Sequence, residues 1–374
     1  MNGCGVHLPD DKNLEQLFLK QKNTVFPPIY RERSDKPYPE RYKDVKLALE
    51  KIHNSIERLA MSSEIDKYIN DMDKLHGNLY KEKLESVIIY LNNHGKGHVQ
   101  KVIETVSDML RNFSDGDLNP YEMFILLCAI QVHDTGNVFG RTKHEKKIGY
   151  NLDKECSKII QDKFERTLIE RIAMAHSGEI FGEQDTIGYL SVESTMYNKK
   201  IRERLLAALL RFGDELSDDN TRVDKFALEN NLIPENSRIF HYYSQALHSV
   251  QVNMNAYNHE LELELNYDFT LSVAKIKFNR SGKKKYLLDE IYDRTIKIEK
   301  ERRYCMRYLR PYLNIARIKV YIKISNEENV MDYQDINYTL EEEGYPDLKI
   351  SIQNKISGNK IIKLFKSNKA GEVK

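Results

Sequence analysis

The chain has 374 residues and a formal net charge of +1, with 58 Lys and Arg residues against 57 Asp and Glu residues. This length exceeds one typical domain, and the balanced charge argues against a surface dedicated to coating nucleic acid. The four cysteines form neither a CxxC pair nor a disulfide framework. No apolar run approaches the length of a membrane span, and the first residues lack the shape of a signal peptide, so we expect a cytoplasmic protein.

The first part of the chain is predicted to be an arm followed by helices. Residues 1 to about 40 are polar and contain several prolines, which favours an extended arm. From Tyr42 onward apolar residues recur at helical spacing, and a second helix is predicted through residues 65–72. His53 lies in this region without a partner pattern, and we interpret it as a packing or surface histidine.

An amphipathic helix is predicted to begin near His98. The segment NNHGKGHVQKVIETVSDML places Val, Ile, Met and Leu residues on one stripe after this histidine. A histidine in the first turn of such a helix can point into a cleft while the rest of the helix packs in the core. His94 precedes it, but Gly95 and Gly97 interrupt a continuous helix between the two histidines.

The central apolar helix ends in an adjacent His and Asp. Asn119 and Pro120 open this helix, and the run FILLCAIQV leads to His133 and Asp134 before Gly136 breaks it. Neighbouring side chains on a helix point about 100° apart, so both can reach one ion only near a helix end. An imidazole beside a carboxylate suits a borderline divalent metal.

Two further helices carry potential ligands downstream. His144 is expected to start a helix behind a glycine-containing loop, and His176 closes the helix LIERIAMAH. A helix is predicted from Ile201 to Leu216, with Asp214 near its end. A carboxylate beside so apolar a stretch costs free energy unless it is paired or bound to a metal.

The order of these residues resembles the HD-domain superfamily of metal-dependent phosphohydrolases. HVQKV is similar to the first motif of the superfamily, in which a histidine leads a helix of Val and Ile residues. RFGDELSDDNTR is similar to its last motif, in which an Asp lies on a helix shortly before an Arg-containing turn. The resemblance covers roughly residues 90 to 225, and within the superfamily the chain is similar to bacterial multi-domain HD proteins.

The resemblance implies a centre of divalent metal ions. His98, His133, Asp134 and Asp214 would hold one ion, and His144 and His176 match the two additional histidines of binuclear members. We therefore expect two ions about 3.5–4 Å apart, bridged by Asp134. Mn, Fe, Co, Ni, Zn or Mg would suit the mixed ligands. If the site held one ion, the last two histidines would instead be proton donors or phosphate-binding groups.

Several basic residues are candidates for contacts with a substrate phosphate. Arg211 is expected to take part in catalysis together with Asp134 and His144. Its positive charge would lie beside the phosphate oxygens and stabilise their negative charge. Arg211 and Arg222 could equally form ion pairs with nearby carboxylates, and His94 could have a purely structural role. The full set of candidate phosphate-binding residues is His94, Arg141, Lys143, Arg211 and Arg222.

The last third of the chain is predicted to form a small α+β module. SVQVNMNA and HELELELNY alternate in polarity, with a hairpin turn from Asn255 to His259, and AKIKFN is a third candidate strand. A long helix from Tyr286 to Leu313 follows, stopped at Pro311, and IARIKVYIKIS is another strand. In the tail, DLKISIQNK is a candidate edge strand.

The combined prediction is a mainly α protein with a helical HD-domain core, an N-terminal helical extension and a C-terminal α+β module. The expected domains are 1–85, 86–230, 231–330 and a tail, 331–374. The predicted function is hydrolysis of a nucleotide or related phosphoester by a metal-activated hydroxide. The alternative is a regulatory module that senses a nucleotide or second messenger. The module would mediate homo-oligomer contacts, and nucleic acid is not expected as a partner.

Overall fold

The described part of the protein forms two compact units. One comprises Met1–Ser217 with Tyr304–Leu313, and the other comprises Asp218–Arg303 with Asn314–Lys374. The computed structural model describes residues 13–20, 36–60, 95–113, 118–139, 144–180, 184–218, 220, 223, 228, 233, 235–280, 282–310, 312–327, 329–342 and 357–363.

The first unit is built from helices and one small hairpin. Two 3-10 helices, Thr135–Phe139 and His144–Lys147, lie in the middle of its sequence. The regular elements in chain order are α1 (Leu14–Lys20), α2 (Tyr38–Ala60), α3 (Lys96–Leu110), α4 (Pro120–Val132), α5 (Ile148–Cys156), α6 (Lys163–Met174), β1 (Ser194–Met196), β2 (Lys199–Ile201) and α7 (Glu203–Glu215).

Helix α4 is the centre of this unit because it is buried on all sides. Its start follows from the sequence: the Asn119 side chain accepts from the backbone N–H groups of Tyr121 and Glu122, and the Glu122 side chain accepts from the N–H of Asn119. Pro120 occupies the first turn, where its missing N–H costs nothing. The helix delivers His133 and Asp134 from a rigid core, as predicted.

A buried ion pair ties the N-terminal extension to this core. The Arg41 guanidinium on α2 pairs with the carboxylate of Glu165 on α6, and both side chains are almost completely buried. The Tyr121 hydroxyl donates to the same carboxylate at 2.9 Å, and Arg41 lies 4.8 Å from the centre of the Phe124 ring. Helix α2 is therefore held on the core by paired charges as well as by apolar packing.

The second unit contains a four-stranded sheet, whose strands lie in the order β3 (Leu247–Met254), β4 (Leu261–Thr270), β7 (Ile315–Asn326) and β8 (Asn329–Glu341). Strands β3 and β4 form an antiparallel hairpin, β4 and β7 are parallel, and β7 and β8 are antiparallel. The elements are α8 (Glu235–Ala246), β3 (Leu247–Met254), β4 (Leu261–Thr270), α9 (Leu271–Ala274), β5 (Phe278–Arg280), β6 (Lys283–Lys285), α10 (Leu287–Leu309), β7 (Ile315–Asn326) and β8 (Asn329–Glu341).

The first part of α10 packs against the sheet of this unit. The Tyr292 ring lies 5.5 Å from the ring of Tyr338 on β8, and the Thr295 hydroxyl lies 2.8 Å from the Tyr338 hydroxyl. The parallel pairing of β4 with β7 needs a long connection between the strands, and α10 lies within it. The predicted hairpin, long helix and IARIKVYIKIS strand are confirmed, and so is the mainly α fold class with a small α+β module.

Four sequence predictions differ from the structure in detail. The arm contains helix α1, because Leu14 and Phe18 are buried in the core, and α2 begins at Tyr38. The predicted helix from Ile201 begins only at Glu203, because Ile201 pairs with Ser194. Most of AKIKFN is not a strand, since β5 is three residues long. Strand β8 lies largely within the predicted tail. The four domain ranges stay a prediction.

Some predictions fall on parts of the chain that the structure does not describe. These are the helix through residues 65–72 and the edge strand DLKISIQNK. Among the described helices, none is long and apolar enough by itself to cross a membrane. The segments Pro120–Phe139 and His144–Cys156, bent by 104°, reach that apolar length only as a pair.

Candidate metal centre

Six side chains from five parts of the first unit converge at one place. His98 is the third residue of α3, His133 and Asp134 follow α4 directly, and Asp214 lies in the last turn of α7. His144 begins the second 3-10 helix, and His176 lies two residues beyond α6. Each predicted ligand thus lies at or near the end of a helix, and for all of them except His144 that helix packs in the core through apolar residues.

The two carboxylate oxygens of Asp134 face two different sets of nitrogens. Its Oδ2 atom lies 3.5 Å from His98 Nε2 and 3.4 Å from His133 Nε2. Its Oδ1 atom lies 3.3 Å from His144 Nε2 and 3.8 Å from His176 Nε2. We call His98, His133 and Asp214 with Oδ2 the first donor set, and His144 and His176 with Oδ1 the second donor set.

Asp214 completes the first donor set from the opposite helix. Its Oδ1 atom lies 3.0 Å from His98 Nε2 and 3.6 Å from His133 Nε2. Close contact of α7 with α3 makes this approach possible, since a Cβ on Gly213 would lie 2.5 Å from Val106 Cγ2. The glycine that the sequence places before Asp214 therefore lets the two helices pack closely.

Backbone carbonyls fix the proton positions of two imidazoles. His133 Nδ1 lies 2.8 Å from the carbonyl oxygen of Ile130, and His176 Nδ1 lies 2.6 Å from that of Ala173. A carbonyl only accepts, so Nδ1 carries a proton in both rings and the other nitrogen, Nε2, is directed at the centre. Metal-ligating histidines are held in this way, with the remote N–H donating to a carbonyl or carboxylate.

The spacing of the donor atoms fits divalent ions. His98 Nε2 and His133 Nε2 are 3.3 Å apart, and His144 Nε2 and His176 Nε2 are 3.4 Å apart. Ligands bound at about 2.0–2.1 Å in tetrahedral geometry lie about 3.3–3.4 Å from one another. Among the described residues, two groups have all their ligand atoms within 4.8 Å of one another: His98, His133 and Asp134, and Asp134, His144 and His176.

The electrostatics of the centre distinguish its two halves. Burial alone lowers the pKa of His133, but the carboxylates of Asp134 and Asp214 outweigh burial and raise the pKa well above its usual value. Burial would raise the pKa of Asp214, yet hydrogen bonds and charge from His133 and His98 hold it well below normal. Burial lowers the pKa of His176 to about 4, and the charge of His133 adds to this shift. Because the pKa of His133 is raised, its imidazole carries an extra proton, and a cation that binds the first donor set displaces that proton.

The structure places Arg211 behind the second donor set. Its side chain is 7% exposed, and Nη1 donates to the carbonyl oxygen of Ser177 at 2.7 Å and to Thr186 Oγ1 at 2.7 Å. These contacts lie beside His176. The predicted catalytic role of Arg211 at a phosphate stays a prediction. Of the other candidate phosphate-binding residues, His94, Arg141, Lys143 and Arg222 lie outside the described residues.

Sequence reasoning missed three residues around the centre. Gly136 was interpreted only as a helix breaker, although its backbone contacts that of His144. Asn137 is 1% exposed, and within the described part of the chain neither amide atom has a hydrogen-bond partner. Tyr304 contacts Arg211 from 93 residues further along the chain, a separation at which no local pattern signals a contact.

The helical fold and the converging His and Asp donors define a centre of the HD type. Residues 88–297 match the family model HD-CE. The match covers more than half of the chain, which therefore belongs to the HD-CE family, and the resemblance to HD-domain proteins is confirmed. No curated protein and no solved structure gives a significant match to the chain.

Proposed function

We propose that the protein is a metal-dependent phosphohydrolase that acts on a nucleotide or a related small phosphoester. The observation that carries this proposal is the position of Asp134, whose two oxygens face separate sets of histidine nitrogens. A single carboxylate placed in this way can join two divalent ions. Such ions, when bound, activate a water and neutralise the negative charge of phosphoryl oxygens.

The side chains around the centre would hold the ions and keep their own ligand atoms in position. The carbonyl oxygens of Ile130 and Ala173 keep the imidazoles of His133 and His176 in one orientation. Asp214 is held as a carboxylate by His98 and His133 and contributes negative charge to the first donor set. Asp214 in the first donor set and His144 in the second are the most exposed of the six ligands, so a substrate can approach the centre beside either of them.

The donor chemistry leaves the identity of the ions to experiment. Two imidazoles with carboxylate oxygen in each set suit Mn, Fe, Co, Ni or Zn. Because each set contains two imidazole nitrogens, the sets are less suited to Mg, which prefers oxygen ligands and keeps several bound waters. We propose two ions per chain.

The direct experiment is product release from a panel of nucleotides and cyclic nucleotides with Mn²⁺-loaded protein. Wild type should release phosphate or open a phosphodiester, and Asp134→Ala should abolish activity and most bound metal. Asp153→Ala is the matched control, because this carboxylate is exposed and pairs with Arg166. An active Asp134→Ala protein would refute the assignment. Nucleotide binding by wild type without any product would instead support the sensor alternative.

A further inference from the structure

The backbone on both sides of His176 is held by two side chains. The carbonyl oxygen of Ala175 accepts from Thr186 Oγ1 at 2.9 Å, and the carbonyl oxygen of Ser177 accepts from Arg211 Nη1 at 2.7 Å. Arg211 Nη1 also donates to Thr186 Oγ1 at 2.7 Å, so the two holding groups are joined. Because His176 has one of these carbonyls on either side, its backbone has little freedom to move.

Tyr304 contacts Arg211 and also the residues on both sides of Thr186. Its ring centre lies 4.8 Å from the guanidinium carbon of Arg211. Its hydroxyl accepts from the backbone N–H of Ile187 at 2.8 Å and donates to Asp185 Oδ1 at 2.8 Å. These two residues flank Thr186, which is 1% exposed. One tyrosine thus contacts the face of the guanidinium and hydrogen-bonds to the residues on both sides of Thr186.

The place of Tyr304 in the chain is unexpected for a residue of the metal centre. It lies on α10, whose first part, Leu287–Arg303, belongs to the second compact unit, whereas Tyr304–Leu313 belongs to the first. The match to the HD-CE family model ends at residue 297, before Tyr304. The last turns of α10 therefore add to the first unit a contact that the matched segment does not contain.

We propose that Tyr304 is a positioning residue for the second donor set, acting through Arg211 and Thr186 on His176. This inference rests on the proposed two-ion centre. Loss of a group that orients a metal ligand weakens metal binding about 10- to 100-fold. The network reaches the centre through the backbone on either side of His176, so the ion held by the second donor set should lose the most affinity.

The test is titration of full-length, metal-free protein with Mn²⁺ by calorimetry. Wild type should bind two ions, and Tyr304→Ala should weaken one of them by about 10- to 100-fold. Tyr304→Phe keeps the ring on Arg211 but loses both hydroxyl bonds, so it should restore part of this loss. Tyr308→Ala is the matched control, because Tyr308 lies one turn away and also contacts Asp185, but its ring lies by Arg204 and Arg307. It should bind both ions as wild type does.

A spectroscopic signature separates positioning from a general loss of stability. The visible absorption of Co²⁺ reports ligand geometry, so the absorption from one of the two bound Co²⁺ ions should shift in Tyr304→Ala, and both should keep the wild-type absorption in Tyr308→Ala. If Tyr304→Phe and Tyr304→Ala are both folded and bind both ions with wild-type affinity, the inference is overturned and the two-ion centre is left intact. Equal weakening of both ions in Tyr304→Phe also overturns it. Wild type that binds one ion overturns the two-ion centre and this inference together.

Discussion

The backbone of Gly136 lies directly against the backbone of His144. A Cβ atom on residue 136 would lie 1.9 Å from the carbonyl oxygen of His144 and 3.1 Å from its Cα atom. Backbone atoms cannot move aside as the end of a flexible side chain can, so only glycine fits here. This contact joins the 3-10 helix after Asp134 to the one that begins with His144, and it brings Asp134 Oδ1 within 3.3 Å of His144 Nε2.

Gly136→Ala should therefore displace His144 and disable the second donor set. We expect the affinity for one of two ions to fall by at least about 10-fold, with the other ion retained. Metal titration of the purified variant measures this. Gly178→Ala is the control, because Gly178 is also close in sequence to a histidine of the set but a Cβ there meets nothing within 4 Å. Wild-type affinities in Gly136→Ala would show that the junction does not position His144.

Asn137 offers a second prediction because its buried amide has no hydrogen-bond partner within the described part of the chain. A buried polar group without a partner costs about 1–3 kcal/mol, and an apolar side chain of similar size removes that cost. Asn137→Leu should thus leave the free energy of unfolding of metal-free protein unchanged or raise it. The measurement is urea unfolding monitored by circular dichroism.

Asn151 provides the contrast for this measurement. It is equally buried, but its Nδ2 atom donates to the carbonyl oxygen of Thr135 at 2.8 Å. Asn151→Leu leaves that carbonyl without its donor and should lower the free energy of unfolding by about 1–3 kcal/mol. If Asn137→Leu proves as destabilising as Asn151→Leu, the Asn137 amide has a partner such as a bound water.

His53 gives a prediction for the pH dependence of stability. Burial lowers its pKa from 6.5 to about 4, and its Nε2 lies 2.8 Å from the carbonyl oxygen of Gln131, to which it donates. The unfolded chain takes up this proton first as the pH falls. The contribution of His53 is therefore complete above pH 6.5 and is lost between pH 6.5 and about 4, by up to about 3 kcal/mol.

His53→Gln isolates this contribution, because glutamine can donate to the same carbonyl without titrating. The difference in free energy of unfolding, wild type minus variant, should fall by about 3 kcal/mol between pH 7.5 and pH 4. Urea unfolding at a series of pH values measures it. A difference that stays constant across this range would mean that His53 keeps an ordinary pKa in the folded protein.

The residues that converge at the candidate metal centre could be proposed from the sequence because they lie in local patterns whose order resembles the HD-domain superfamily. His98 leads an amphipathic helix, His133 and Asp134 end an apolar one, and Asp214 follows a strongly apolar face. A helix end limits where its residues point, but each histidine alone would more often be a capping or surface residue, and the resemblance to the HD-domain superfamily supplied the ligand set. Which oxygen of Asp134 faces which histidines depends on the packing of five segments, and no sequence pattern contains that information.

The secondary-structure predictions were wrong for helix α1, which is buried by residues distant in the sequence, and for strand β8, which is partly polar. Helix α1 is short, but Leu14 donates its N–H to Ser107 Oγ at 2.9 Å and packs in the core, which overrides the polar composition of the arm. Strand β8 has buried Ile336 and Leu340 between exposed polar residues. That alternation was present in the sequence and is typical of an edge strand with one face in water.

The most direct test of the central claim, that Asp134 is shared between two ions, is the metal content of purified protein by elemental analysis. Wild type should hold about two divalent ions per chain, and the double variant His144→Ala/His176→Ala should hold about one. That outcome is expected because only the second donor set is removed, while the atoms around Asp134 Oδ2 remain. Unchanged metal content in the double variant, with lower activity, would contradict the claim and make the centre mononuclear, with these histidines in acid–base or phosphate-binding roles.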